Sequence, residues 1–208
     1  MDINFNHQDL FRSYTGERIR LRALRDTDLE AVLEYRNDPV TTQFTPYTNE
    51  NRSKLQLFLS EQKSLWEGDK ARFSLSDLPK SVMYYGIEDS GSGQLAGECL
   101  IIFSGHLQAE IGYVIAPGYR GKGFAKEAVS TLLNICFSTL KLHRLSARVH
   151  PENIASINVL KSFSFRKEGR FLEDYFKDGV WFDTDYFALL AREWKIIRDG
   201  PNPYAGSC

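Results

Sequence analysis

"APGYRGKGFAKEAV", residues 116–129, places Gly118, Gly121 and Gly123, with the basic Arg120 and Lys122, directly before a helical pattern. Ala125, Ala128, Val129, Leu132, Leu133, Cys136, Phe137 and Leu140 then recur at three- and four-residue intervals, which marks one buried helix face. Upstream, "QAEIGYVIA" (108–116) reads as a strand. Strand, glycine-rich turn and helix N-terminus together leave several backbone N–H groups unpaired in one direction, with the positive end of the helix dipole behind them. Glycine at 121 and 123 removes side chains that would keep a phosphate from those amides, and Arg120 and Lys122 add charge. Two phosphate-loop patterns fail on spacing. G-x-x-x-x-G-K-S/T takes Gly118 and Gly123 but meets Phe124 where its lysine belongs, and G-x-G-x-x-G takes Gly121 and Gly123 but meets Lys126. On these residues alone, an anion cradle and a solvated basic turn both fit.

The 208 residues suit one domain with a sizeable core, and 27 acidic against 26 basic side chains leave no global field to attract nucleic acid or membrane. "MDINFNHQDLF" lacks the basic flank and apolar run of a secretory signal, and "CLIIF" (99–103) is too short to span a bilayer. Cys99, Cys136 and Cys208 are scattered without CxxC spacing, and His143 and His150 match no metal pattern. No metal site is expected, and a reducing, cytoplasmic setting is. "RIRLRAL" (18–24) alternates as a half-buried strand; Asp26 or Thr27 then caps a helix to about Asn37, ended by Asp38-Pro39. A second helix runs from about Glu50 to Trp66, and "SVMYYGIED" and "QLAGECLIIF" flank "SGSG" as a hairpin. "LSARVH" (145–150) is a strand, a helix follows from about Asn153 to Ser162, and two aromatic-rich runs around "KDGV" (177–180) close a last hairpin. The order β-α-α-β-β-β-α-β-α-β-β predicts a single mixed α/β domain of about seven strands and about four helices. Its core is expected at about 18–194, with 1–14 and 198–208 as arms.

"RGKGFA" fits Q/R-x-x-G-x-G/A, the acyl-CoA pyrophosphate loop of the GNAT acetyltransferase superfamily, through Arg120, Gly123 and Ala125. "AEIGYVIAPGYRGKGFAKEAV", "HPENIASINVLKSFSF" and "EGRF…KDGVWFDTDYFALLAREW" follow in the right order, so the chain from about Ile19 to Trp194 resembles the RimJ/RimL-like branch. The resemblance implies a twisted, splayed sheet and direct transfer of the acetyl group of acetyl-CoA to a primary amine. The acceptor it points to is the N-terminal α-amine of a protein such as a ribosomal protein. Small amines (amino sugars, polyamines, antibiotics) and a non-catalytic CoA-binding regulator are the alternatives. A monomer and a homodimer both fit.

That chemistry assigns roles. The backbone N–H groups of Arg120, Gly121, Lys122, Gly123, Phe124 and Ala125 would cradle the pyrophosphate. The strand Ile111–Ile115 would hold pantetheine along its edge, where it splays from residues 145–149, with the amide near Val114 as oxyanion donor. Tyr113, in mid-strand, faces either the site or the core. Lysine titrates at about 10.4 and an α-amine at about 7.7–8.0, so a base matters more for lysine. Glu110 occupies the place of a glutamate that acts through water in relatives, and equally reads as an exposed strand residue; Glu98 is its rival. The branch carries a serine thought to serve the departing thiol where Ser156 stands, whereas the tyrosine that many superfamily members use would fall at Leu160. Asn153 caps that helix and reaches pantetheine. Ser164 replaces a usual glycine, which costs on the order of 1 kcal/mol if φ is positive there. The acceptor walls would come from about Arg36 to Trp66 and from the last hairpin. "RNDPVTTQFTPYTNENR" (36–52) holds aromatics and small polar groups without an acidic cluster, which favours a peptide N-terminus.

Overall fold

The computed structural model describes residues 4–5, 9–67, 73–74 and 82–199. In chain order the elements are β1 (Asn4–Phe5), β2 (Tyr14–Thr15), β3 (Ile19–Arg22), α1 (Leu29–Asn37), α2 (Pro39–Phe44), α3 (Arg52–Glu67), β4 (Phe73–Ser74) and β5 (Val82–Asp89). There follow β6 (Leu95–Gly105), β7 (Gln108–Ile115), α4 (Phe124–Leu133), β8 (Arg144–Val149), α5 (Ile154–Ser162), β9 (Arg166–Lys177), β10 (Val180–Leu190) and α6 (Ala191–Asp199). β1 and β4 pair separately, and the remaining strands form one sheet in the order β2-β3-β5-β6-β7-β8-β10-β9. Every neighbouring pair in it is antiparallel except β7 with β8.

Strand alternation sends successive side chains to opposite faces. Ile111, Tyr113 and Ile115 of β7 pack with the main core, which holds Ala128, Val129, Leu132 and Leu133 of α4 and Ile157 and Leu160 of α5. Val114 and Ala116 point the other way, into a second cluster with Val32 and Tyr35 of α1 and Leu55 and Leu59 of α3. The sheet is therefore covered on both faces, and β7 runs through its middle.

The sheet has eight strands where about seven were expected, because β2 adds to β3. Among the described residues six α-helices replace about four. Asp38 carries an extended ψ of 129° and accepts a hydrogen bond from the Thr41 amide at 2.9 Å, so Pro39 both stops α1 and starts α2 at its N1 position. Neither Asp26 nor Thr27 caps α1: a 3-10 turn, Asp26–Asp28, precedes it, and the Asp28 carboxylate is held by Arg22 at 2.7 and 2.9 Å. α4 passes into a π-helical turn, Asn134–Thr139, that keeps Ile135, Cys136 and Phe137 buried. α6 sets Trp194 over Phe137 at a ring distance of 6.4 Å. The expected N-terminal arm is corrected from residue 9 onward. Leu10 is 1% exposed and its carbonyl accepts the Tyr85 hydroxyl at 2.6 Å, so this stretch is part of the core. Residues 1–3, 6–8 and 200–208 of the expected arms lie outside the described residues.

Candidate active site

β7 and β8 pair at three positions only, Gln108 with Arg144, Ala109 with Leu145 and Glu110 with Ser146. Beyond these the two strands diverge, as the splayed sheet required. A residue's N–H and C=O point to the same neighbouring strand, and successive residues alternate. Ala109 turns its carbonyl to β8, where it accepts the Ser146 hydroxyl at 3.4 Å, and Ala116 turns its amide to β6, where it donates to Ala96 at 2.8 Å. The backbone groups of Ile111, Tyr113 and Ile115 therefore face the gap. Those of Val114 face β6, so the amides near Val114 that point into the gap are those of its neighbours, Tyr113 and Ile115.

The gap opens into a cleft of about 540 Å³ whose floor is the 116–129 loop, with Arg120, Gly121, Gly123, Phe124, Ala125 and Lys126 among its walls. Gly121 and Gly123 adopt φ of 71° and 85°, a region that favours glycine. A Cβ on Gly121 would meet nothing within 4 Å and would project into free space at the loop. Gly123 is the N-cap of α4, and no side chain caps that helix. Its first-turn amides carry no side-chain cap, the arrangement that the cradle reading of the loop calls for.

Arg120 is committed elsewhere than expected. Its guanidinium donates to Asp38 at 2.6 Å, to the Thr41 hydroxyl at 2.7 Å and to the Ile115 carbonyl at 3.2 Å, which ties the loop to α2. Partial burial would raise the Asp38 carboxyl, but Arg120 and the Thr41 amide outweigh it and hold the group below its ordinary value. Lys122 folds back onto the Gly118 carbonyl at 2.6 Å on the exposed side. A brace that the sequence did not reveal comes from Arg18, just before β3. Arg18 donates to Glu127 at 3.1 Å and to the Lys122 carbonyl at 3.0 Å, its guanidinium lying 5.5 Å from the Phe124 ring centre. Over a hundred residues separate these partners, so no local pattern signals the contact.

Asn153 accepts the Ser156 amide at 3.1 Å and so caps α5 as expected. Both side chains line the cleft. Tyr113 lines it too, and its hydroxyl sits 2.9 Å from Ser156 Oγ and 3.3 Å from the Ser156 carbonyl. Burial pushes the Tyr113 hydroxyl up to about 12, so it stays protonated. Glu110 alternates to the opposite face from Tyr113, where both its oxygens accept from Arg148 Nε at 3.1 Å.

Glu98 is 1% exposed and fully engaged. It accepts from Arg36 at 3.1 and 2.7 Å, from the Tyr35 hydroxyl at 2.8 Å and from the Tyr47 hydroxyl. Arg36 is sandwiched by the Tyr47 and Phe58 rings at 4.4 and 4.2 Å. Burial and then Glu98 raise both tyrosines well above their usual range, so both serve as donors. This arrangement belongs to a structural network rather than to a base open to a substrate.

A second cavity, of about 500 Å³, lies on the other side of α2, among Gln43, Tyr47, His150, Glu152, Asp178 and Phe182. Lys177 at the tip of the last hairpin donates to the Thr42 carbonyl and, at 2.9 Å, to that of Thr45, fastening the hairpin to α2. His150 sits between Phe44 of the first cleft and Phe182 of the second in tilted ring contacts, at ring distances of 5.3 and 5.4 Å. Of the stretch 36–66 expected to wall the acceptor, residues between 37 and 49 line this second cavity together with the last hairpin. Among the described residues no group of three His, Cys, Asp or Glu side chains is placed to hold a metal ion, and no helix is long and apolar enough to cross a membrane.

Comparison with known proteins places the chain. Residues 18–166 match the Acetyltransferase (GNAT) domain model. An uncharacterized N-acetyltransferase, p20, of Bacillus licheniformis is 36% identical over 186 residues, 86% of this chain and 96% of that protein. A GNAT-family acetyltransferase structure from Bacillus anthracis superposes with a TM-score of 0.73 at 27% identity, covering 87% of this chain and 99% of that one. RimJ of Mycobacterium smegmatis, solved with CoA-disulfide, gives 0.71 at 23% identity, covering 94% and 97%, a likeness of fold. Relatives with named acceptors diverge. The ribosomal protein uS5-alanine N-acetyltransferase of Escherichia coli is 25% identical over 86% of this chain and 91% of its own. The spermidine N(1)-acetyltransferase of Vibrio cholerae is 30% identical over 43% of this chain and 51% of its own.

Proposed function

The chain belongs to the GNAT acetyltransferase family and is an acetyl-CoA-dependent N-acetyltransferase; from that premise we propose that it acetylates the N-terminal α-amine of a protein substrate in the cytoplasm. The observation that carries the reading is the three-residue seam between β7 and β8, which leaves backbone groups open beside an uncapped, glycine-opened helix N-terminus. In this reading the backbone N–H groups of the Arg120 to Ala125 loop bind the pyrophosphate, and the gap-facing groups of Ile111 and Tyr113 with the Ile115 amide bind pantetheine, the Ile115 carbonyl being held by Arg120. A gap-facing amide of β7 polarises the thioester carbonyl. Glu110, steadied by Arg148, takes the amine proton through water. Ser156 serves the departing thiolate, and Asn153 holds the helix that carries it. An α-amine titrating at about 7.7–8.0 is already partly neutral, so a paired carboxylate working through water suffices.

The acceptor reaches the gap from the second cavity, past α2. Its side-chain amides, hydroxyls and aromatic rings, among them Asn37, Thr42, Gln43, Tyr47 and Phe182, suit a peptide backbone with a small first side chain. Glu152 and Asp178 at the same cavity favour a second reading, a small cationic amine such as a polyamine. Intact-mass acetylation separates the two, with free α-amine peptides, N-blocked lysine peptides, polyamines and aminoglycosides as acceptors. Acetylation confined to free α-amines, depressed in Ser156→Ala and Glu110→Gln, supports the proposal. Transfer to polyamines alone overturns the acceptor and leaves the donor chemistry standing.

A further inference from the structure

We infer that Tyr113 is a positioning residue that aims the Ser156 hydroxyl proton at the thioester sulfur. The inference rests on the reading of Ser156 as the group that serves the departing thiol. The two hydroxyls lie 2.9 Å apart in the wall of the cleft, so one of them donates to the other. If Ser156 donated to Tyr113, its only proton would point away from the ligand. Tyr113 has one proton, and the Ser156 carbonyl at 3.3 Å competes for it with Oγ at 2.9 Å; given to the nearer Oγ, it fills a lone pair there and leaves the serine proton free to turn into the gap. A phenol is the stronger donor of the two, and burial keeps this one protonated to about 12. Ser156 is otherwise held by its backbone, through the cap from Asn153 at 3.1 Å, so its side-chain rotor is what remains to be set.

The arrangement is consistent with the direction of the reaction. As the amine nitrogen bonds to the acetyl carbon and the C–S bond breaks, the bonding pair goes to sulfur. A hydroxyl already oriented to that sulfur stabilises the new charge without reorganisation, and water then supplies the proton that makes the free thiol. The amine's own proton leaves on the other face of the sheet, where Glu110 stands. Tyr113 touches neither transfer; it fixes which way Ser156 points.

A test that needs no acceptor is the thiol titration of bound CoA, followed by thiolate absorbance from pH 6 to 10 with the CoA-free protein subtracted. Cys99 and Cys136 are buried, and burial raises both thiols, so they stay silent across this range. In the wild-type complex the CoA thiol is expected to titrate about one pH unit below its free value near 8.5. Ser156→Ala should return it to the free value. Tyr113→Phe, which removes one oxygen and keeps the ring, should raise it by at least half as much, with CoA affinity changed by less than about threefold. In the Ser156→Ala background Tyr113→Phe should add nothing. A wild-type titration in Tyr113→Phe, with Ser156→Ala shifted, overturns the inference and spares the role of Ser156. A wild-type titration in Ser156→Ala overturns both. Equal shifts from Tyr113→Phe in the two backgrounds show that Tyr113 acts without Ser156, which also refutes it.

Discussion

Gly97 on β6 stands opposite Ile115 and adopts a φ of 151°. A Cβ added there would lie 2.1 Å from the Val114 carbonyl oxygen, where real contacts begin at about 3.0 Å. Gly97→Ala must therefore drive β7 away from β6 by roughly 0.9 Å, into the gap. Two ladder hydrogen bonds near this point would stretch, among them Ala116 to Ala96 at 2.8 Å. At about 1 kcal/mol net for each bond, plus about 1–3 kcal/mol for a side chain at this φ, the substitution should destabilise the fold by about 3–5 kcal/mol. The displaced strand also carries the gap-facing amides of Tyr113 and Ile115. A misplacement near 1 Å costs up to about 100-fold in rate, so kcat in the surviving folded fraction should fall about 10- to 100-fold. Urea unfolding gives the first quantity, and calorimetric acetyl-CoA binding with turnover gives the second. A Gly97→Ala protein with a wild-type midpoint and wild-type kcat would refute the close approach of β6 to β7 and its link to the site.

Glu98→Gln leaves Arg36 buried without its carboxylate and should cost about 3–5 kcal/mol in chemical denaturation; a stable variant that had lost only kcat would return Glu98 to candidacy as base. Ser164 has a φ of 60°. Ser164→Gly should therefore relieve about 1 kcal/mol of strain, offset in part by glycine's freedom in the unfolded chain, and raise Tm by about 1–2 °C; a lower Tm contradicts this. Arg18→Ala removes the brace behind the loop and should raise the KM for acetyl-CoA severalfold with kcat within about twofold. An unchanged KM would mean that the loop holds its shape unaided.

The periodic elements were legible because their signals are local: the α4 face, the hairpin around Asp178-Gly179, the Asn153 cap, even the positive φ at Ser164. α2 was missed because six residues are too few for a periodicity, and its N-terminus coincides with a proline that reads as a stop. β2 was missed because two residues carry no alternation. At the site, the loop and the Ser156 helix could be located from the chain, but not the partners that fold back on them. Arg120 reads as a phosphate ligand by proximity in sequence, and only the fold shows Asp38 and Thr41, some eighty residues away, claiming its guanidinium. The amide near Val114 is not specified further by the sequence, because strand parity depends on register, which the sequence of β7 alone does not set. Glu98 and Glu110 look alike as strand glutamates, yet one is locked behind Arg36 and the other lies at the last paired position before the strands part.

The short contact between β7 and β8 joins a five-stranded antiparallel sheet, β2 to β7, to a three-stranded one, β8 to β9. Any molecule that occupies the gap acts as a splint across that joint, and it binds only the folded chain. At a hundred times its dissociation constant such a ligand adds about 2.7 kcal/mol to stability. The thioester that supplies the acetyl group therefore also braces the joint between the two halves of the sheet.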